Sequence, residues 1–200
     1  MSTATLKAPT APAAVRGPHL LTAADLAALP TSLPSGDVRY ELDDGRVVVL
    51  PPPGDIHARR QAKIVRYLDT DAGDRGLGEV RGEVGIILRR NPDRVVGADA
   101  AFHLTRSLPV VRSVEGYLET VPDIVVEVRS KNDSTNEVRA KKEEYFAAGV
   151  PLVWVIDPGA RTVTAHQPGQ PDQTFTDADT LTTPLLPGFA VPVANLFTGS

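Results

Sequence analysis

The spacing of apolar and polar positions changes several times along the chain, and each change marks the boundary of a predicted element. Three blocks in the middle of the chain are rich in Val and Ile and alternate or run continuously apolar, which is typical of strands. Two longer blocks predict helices, and the second ends at Gly149, a residue suited to a helix C-cap. The predicted strands are 83–90, 94–104 and 123–130, and the predicted helices are 55–73 and 134–148.

A short helix and a hairpin are predicted before this middle region. The block LTAADLAALP (21–30) predicts a helix with Thr22 as its N-cap, Asp25 three residues later and Pro30 at its end. The block VRYELDDGRVVVL (38–50) predicts two strands, because an Asp-Asp-Gly turn separates two apolar runs.

The remaining pattern completes an α+β (mixed α/β) chain. In the helix 55–73, Asp55 is the expected N-cap, and Ile56, Ile64 and Leu68 are expected to face inward. The C-terminal blocks predict one apolar strand followed by a meander of antiparallel hairpins. These blocks are PLVWVIDP (151–158), TVTAHQ (162–167) and QTFTDA (173–178).

Composition narrows the class of protein. With 200 residues, 42% apolar and 23% charged, the chain predicts one globular domain over 19–200. Residues 1–18, rich in Ala, Pro and Thr, predict a disordered tail. No apolar run approaches the ~20 residues of a membrane span, and a cytoplasmic location is expected. The absence of cysteine excludes disulfides and thiolate metal sites.

The net charge and the local distribution of charge favour different kinds of function. A formal net charge of -4 argues against a nucleic-acid-binding protein, which is usually basic. However, Arg59, Lys63 and Arg66 form a basic stripe on the predicted helix 55–73. Such a stripe fits a phosphate backbone, but it is also typical of the solvated face of an amphipathic helix.

The strand 123–130 carries a carboxylate on an otherwise apolar face. Because alternate residues of a strand share a face, Glu127 and Arg129 lie with Val125, opposite the other apolar residues of the strand. Asp99 interrupts the preceding predicted strand in a similar way. A buried carboxylate is costly unless a partner compensates its charge, so both residues are candidates for a site.

A metal ion is one such partner. If these two strands pair antiparallel, Asp99 and Glu127 are neighbours, with Cβ atoms about 5 Å apart. Two carboxylates at that distance repel unless one is protonated or a cation lies between them. Oxygen ligands favour Mg²⁺ or Mn²⁺. Asp123 shares the face of Glu127 but lies roughly 13 Å along the strand, so it is expected to begin the strand.

The helix 134–148 contributes a third candidate. Lys141 forms an i, i+4 row with Glu137 and Tyr145. A lysine beside a metal-bound water can orient the nucleophile or stabilise developing charge on a phosphate. The alternative is that Lys141 belongs to a solvated charged face with its neighbours.

These residues together resemble the Uma family of putative restriction endonucleases, within the PD-(D/E)XK nuclease superfamily. The most specific part is VPDIVVEVRS followed by AKKEEYFAAGVPLVWVIDP, which looks like the family's acidic strand, charged helix and next strand. YELDDGRVVV and the nearby His57 resemble its N-terminal signature, and the likeness covers nearly everything after the tail. The resemblance implies a central mixed sheet flanked by helices.

The resemblance also implies roles for individual residues. Asp99 matches the first acidic residue, although Ala98 stands where the family usually has proline, and Glu127 matches the second. Lys141 matches the basic residue, which in this family has moved to the helix. Arg129 lies two positions after Glu127, and arginine can hold a phosphate but is a poor proton donor or acceptor.

Two N-terminal residues have open assignments. Glu41 matches an acidic residue of the family, which implies that it is a further metal ligand or that it positions a water. The alternative is that Glu41 pairs with a base such as Arg46. His57 contacts phosphate or metal, or it is a cap or packing residue at the start of a helix.

The expected function is Mg²⁺- or Mn²⁺-dependent hydrolysis of DNA by Asp99, Glu127 and Lys141, with Glu41 as a further ligand. Basic residues would contact the nucleic acid. These are His57, Arg59, Lys63, Arg66 and Arg129. Cutting two strands needs two sites, which favours a homodimer. Two alternatives stay open: a catalytically weak relative that binds DNA or a protein, and a charged network of Glu127 and Arg129 at a dimer interface.

Overall fold

The computed structural model of the chain describes residues 19–34, 36–111, 113, 116–131 and 133–198, and the predicted disordered tail, 1–18, lies outside this part. The helices are α1 (Ala23–Ala27), α2 (Asp55–Leu68), α3 (Thr135–Ala148) and α4 (Val193–Phe197), with a π-helical turn at Asp69–Gly73 and a 3-10 turn at Thr105–Ser107. The strands are β1 (Ser32–Leu33), β2 (Gly36–Asp37), β3 (Arg39–Asp43), β4 (Arg46–Leu50), β5 (Gly78–Arg89), β6 (Arg94–Leu104), β7 (Ile124–Val128), β8 (Leu152–Asp157), β9 (Thr162–His166), β10 (Gln173–Phe175), β11 (Thr180–Leu181) and β12 (Val191–Pro192).

Eight strands form one mixed sheet, which confirms the predicted α+β class with a central mixed sheet and additional hairpins. The strand order is β10-β9-β8-β7-β6-β3-β4, and β5 pairs with β6 in addition. β7 and β8 are parallel and are joined through α3, whereas β6 and β7 are antiparallel, which is the condition under which Asp99 and Glu127 were expected to be neighbours. No helix in the described part of the chain is long and apolar enough to cross a membrane.

The ends of α1 and α3 follow from local sequence. Thr22 and Asp25 form a reciprocal capping box at the start of α1, as their spacing predicts. Ser134 and Glu137 form a second capping box at the start of α3, so Glu137 is a capping residue. α3 ends at Gly149 in the left-handed conformation, with φ of 101°, where a residue without Cβ is favoured.

Two details of α2 differ from the prediction. Its N-cap is Gly54, and Asp55 is the first helical residue. Ile64 and Leu68 are fully buried, as predicted, but Ile56 is 60% exposed. Ile56 belongs to the first turn of the helix, where it lines an open groove and does not pack on the sheet.

The sheet separates two apolar layers. On one face, Ile124, Val126 and Val128 pack with residues of α2, α4 and the C-terminal segment. On the other face, Val125 packs with Tyr145 of α3. The predicted alternation of β7 is therefore confirmed, and Glu127 lies on the face that α3 covers.

Candidate active site

An opening in the strand pairing of β6 creates the site. β5 pairs with β6 from Gly78–Leu104 to Arg89–Arg94 and occupies one edge along its whole length. β3 and β7 must therefore share the other edge. β3 pairs there through Val95, and β7 begins to pair at Ala100. Among the described residues, no strand pairs with this edge between these two points.

Side chains complete the backbone hydrogen bonds in this opening. The N–H of Gly97 donates to Glu41 Oε1 at 2.9 Å, and the carbonyl of Gly97 accepts from Lys141 Nζ at 2.9 Å. Buried backbone groups need such partners. Polar side chains from β3 and α3 are consequently drawn to one point of the sheet.

Asp99 lies at the β7 end of the opening. Its Oδ2 accepts the backbone N–H of Val128 at 2.7 Å, and its Oδ1 is 2.8 Å from His57 Nε2. The Nδ1 atom of His57 is 3.2 Å from Ser130 Oγ, so α2 is tied to both strands. The register of β6 and β7, continued by one residue, sets Asp99 opposite Glu127.

Glu127 is held from the side of α3. Its Oε2 accepts from Lys141 Nζ at 3.0 Å, and its Oε1 accepts from the Tyr145 hydroxyl. The side chain of Glu127 is only 16% exposed. Burial raises the pKa of Glu127 to about 7, because Lys141 and Tyr145 only partly offset it and the charge of Asp99 adds to it.

The carboxylates raise the pKa of two basic groups, Lys141 and His57. Burial lowers the pKa of Lys141, but Glu127 at 3.0 Å and Glu41 at 3.9 Å outweigh it and hold that pKa above its ordinary value. The hydrogen bond to Asp99 raises the pKa of His57 against the opposing effect of burial. Both groups are therefore charged over a wider pH range than in an unfolded chain.

Glu41 has a partner that the sequence did not indicate. Its Oε2 accepts from Arg94 Nη1 at 3.3 Å, whereas the sequence suggested Arg46. Arg94 also donates to Glu144 of α3 at 2.8 Å and to the carbonyl of Leu42 at 2.9 Å. It thus links β3, β6 and α3, and a single arginine at the start of a strand carries no signal for this role.

These residues open into a groove of about 1780 Å³. Glu41, His57, Asp99, Glu127 and Lys141 all line it. Among the described residues, eight acidic side chains and five Arg or Lys side chains contribute to its wall. An acidic groove repels a polyanion unless cations compensate its charge.

Comparison with known proteins assigns the chain to a family. Uma2, described as putative restriction endonuclease, matches residues 23–194, which include every residue of the site. The chain belongs to the Uma2 family. A crystal structure of a putative nuclease belonging to DUF820 from Anabaena variabilis ATCC 29413 superimposes with a TM-score of 0.71 at 20% identity, covering 89% of this chain and 98% of that one. No match is found among curated proteins.

The resemblance described for the sequence implies a metal ion, and the carboxylates supply oxygen ligands suited to one. Among the described residues, no group of three or more His, Asp or Glu side chains lies together as a metal-binding cluster. Each oxygen of Asp99 and Glu127 accepts one hydrogen bond. Because a carboxylate oxygen has two lone pairs, these hydrogen bonds leave acceptor capacity on both carboxylates for a cation. The raised pKa of Glu127 marks a position where a further positive charge is favourable.

One residue of the basic stripe in this Uma2 chain, Lys63, binds the C-terminal helix. Lys63 Nζ donates to the carbonyls of Asn195 and Thr198 at 2.7 Å each, and burial with the neighbouring cations lowers the pKa of Lys63. Arg59 and Arg66 are exposed. None of these three lines the groove, whereas Arg129 does and is paired with Asp157 at 3.1 Å.

Substitutions in this stripe distinguish a residue that holds α4 in place from a residue that binds nucleic acid. We expect Lys63→Met to lower the free energy of unfolding by about 1–3 kcal/mol, because it removes charged hydrogen bonds to α4. Arg59→Met should change stability by less than about 0.5 kcal/mol and reduce the salt dependence of DNA binding by about one ion. Urea unfolding and fluorescence anisotropy with a labelled duplex measure the two effects. Equal salt dependence in wild type and Arg59→Met would exclude Arg59 from the DNA contact.

Asp123 lies away from the site. Its Oδ2 accepts the N–H of Leu104 at 2.8 Å and its Oδ1 accepts from Ser107 Oγ at 3.1 Å. The residue fastens the entry of β7 to the end of β6, in line with the expectation that it begins the strand.

Proposed function

We propose that this chain is a divalent-metal-dependent endonuclease that hydrolyses phosphodiester bonds of DNA. The observation that carries the proposal is the convergence of Asp99, Glu127 and Lys141 on the open edge of β6, inside an acidic groove. Family membership supports a nuclease. Metal dependence and the DNA substrate are proposals that rest on the chemistry of these side chains.

Asp99 and Glu127 would hold Mg²⁺ or Mn²⁺, and Glu41, which binds Arg94 and Gly97 in this structure, would join them as a third acidic ligand when the ion binds. When bound, such an ion polarises the scissile phosphate and lowers the pKa of the attacking water. Lys141 would orient that water or neutralise charge that develops on the phosphate, because its ammonium already lies 3.0 Å from Glu127. His57 holds Asp99 through Nε2, and it would contact a phosphate through Nδ1 in exchange for Ser130.

Positive groups outside the acidic centre would bind the flanking phosphates. Arg129 lies in the groove, and Arg59 and Arg66 are exposed on α2 next to Lys63. Phosphate contacts of this kind fix the register of a duplex without reading its sequence. A homodimer would supply the second active site that a double-strand cut requires.

The test is cleavage of supercoiled plasmid with Mg²⁺ or Mn²⁺ and with excess EDTA, together with calorimetric titration of Mn²⁺ into the protein. We expect nicked or linear product only with the metal, and a measurable heat of Mn²⁺ binding. A chain that binds labelled duplex and Mn²⁺ but leaves plasmid intact would be a binding relative of the family. Absence of both Mn²⁺ binding and cleavage would refute the proposed function.

A further inference from the structure

Tyr145 is a fully buried residue of α3 whose hydroxyl contacts the candidate site from the apolar layer between α3 and the sheet. Its ring packs in the apolar layer under the sheet with Val125, Val150 and Val153. Its hydroxyl donates to Glu127 Oε1. Tyr145 does not line the groove, so its contact with the site runs through Glu127.

Tyr145 and Lys141 divide the two oxygens of one carboxylate between them. The two residues are four positions apart on α3 and therefore lie on the same face of the helix. Lys141 donates to Oε2 of Glu127 and Tyr145 donates to Oε1. With one donor on each oxygen, rotation of the carboxylate about its terminal bond would break a hydrogen bond.

The two donors differ in rigidity. The side chain of Lys141 is 29% exposed and ends a flexible four-carbon chain. The aromatic ring of Tyr145 has only two rotatable bonds, and close packing around it limits both. Tyr145 therefore sets the orientation of Glu127, and Lys141 can adjust to a substrate without releasing the carboxylate.

We propose that Tyr145 is a positioning residue for cleavage, because its hydroxyl fixes the plane of the Glu127 carboxylate before a metal ion or DNA binds. This inference rests on the proposed function of Glu127 as a metal ligand. Partners of this kind, which hold a ligand without touching the ion, typically change metal affinity or activity 10–100-fold when they are removed.

Tyr145→Phe tests the proposal, because it removes the hydroxyl and keeps the ring. We expect the Kd for Mn²⁺ in calorimetry to rise by about 10–100-fold. For plasmid cleavage we expect kcat to fall while KM for DNA stays unchanged, which is the signature of a group that favours the transition state over bound DNA. Tyr67→Phe is the matched control: it makes the same chemical change on α2, outside the groove, and should leave both quantities at the wild-type value.

Each outcome decides between a positioning role and a purely structural one. A folded Tyr145→Phe chain with wild-type Mn²⁺ affinity and wild-type kcat would overturn the proposal and leave the nuclease function intact. A chain that no longer folds would also overturn it, because the hydroxyl would then serve the core and not the orientation of Glu127. If the wild-type chain neither binds Mn²⁺ nor cuts DNA, the proposed function itself fails, and this role of Tyr145 fails with it.

Discussion

Glu127→Gln abolishes DNA cleavage and weakens Mn²⁺ binding by more than about 100-fold, since loss of a direct ligand should exceed the 10–100-fold effect of losing its partner. The variant keeps the size of the side chain but removes its negative charge. An amide also has one acceptor oxygen where the carboxylate has two, so the variant cannot accept from Lys141 and Tyr145 on two separate oxygens as Glu127 does. Calorimetric titration and plasmid cleavage measure the two effects.

The same variant has a second expected effect, on stability as a function of pH. The pKa of Glu127 is raised from 4.5 to about 7 in the folded chain. Between these two values the folded state binds the proton and the unfolded state has lost it, so stability falls as pH rises. We therefore expect the wild type to lose up to roughly 3 kcal/mol relative to Glu127→Gln between pH 4.5 and 7.5.

Urea unfolding of both chains at several pH values gives this difference. The other titrating groups are present in both chains. The pKa of His57, raised by Asp99 and in part by Glu127, acts in the same direction, so the part due to Glu127 is included in the measured difference, whereas the lowered pKa of the buried His103 acts in the opposite direction in both chains. Parallel stability curves for the two chains would mean that Glu127 is not held as a buried carboxylate. Glu127→Asn removes the same charge and also shortens the side chain, so the difference between the two variants measures the contribution of side-chain packing.

Local rules predicted the parts of the fold that depend on residues close in sequence. The capping box at Thr22 was predicted because its partner, Asp25, is only three residues away, whereas the equally local box of Ser134 and Glu137 was missed. The alternation of β7 is also local, and it pointed to Glu127 because a carboxylate stood among apolar residues. Asp99 stood out in its strand in the same way and Lys141 from its row on the helix, the resemblance to the Uma family implied roles for both, and the structure brings them to the same opening in the sheet.

What the sequence did not predict depends on contacts between distant elements. The opening along β6 exists because β3 and β7 end on the same edge. Arg94 acquires its role only when β3 and α3 meet. Lys63 finds its partners more than a hundred positions later, at the carbonyls of α4. The sequence of one helix does not show which of its basic side chains will bind backbone carbonyls elsewhere in the fold.

Lys141→Met reduces kcat for cleavage by about 10²–10³, the usual cost of removing one group that stabilises developing charge, while Mg²⁺ binding at pH 8.5 is retained. The methionine keeps the length of the apolar stem. Without the ammonium, the carbonyl of Gly97 and Glu127 Oε2 each lose a donor, so a loss of about 1–3 kcal/mol in stability accompanies the rate effect. Lys141 lowers the pKa of Glu127, so this pKa rises further when Lys141 is replaced. Binding is therefore measured at an alkaline pH, where Glu127 is ionised in the variant as well.

Lys142→Met is the matched control for this variant. Lys142 is the next residue on α3, its Nζ lies 3.6 Å from Glu143, and it does not line the groove. The same change there should leave kcat unaltered. Urea titration gives the folded fraction of each chain, so a rate loss beyond the loss of folded protein assigns the ammonium to the reaction. If Lys141→Met instead has wild-type kcat and lowered stability, Lys141 is a structural residue that stabilises the open edge of β6. Another group must then stabilise the charge that develops on the phosphate.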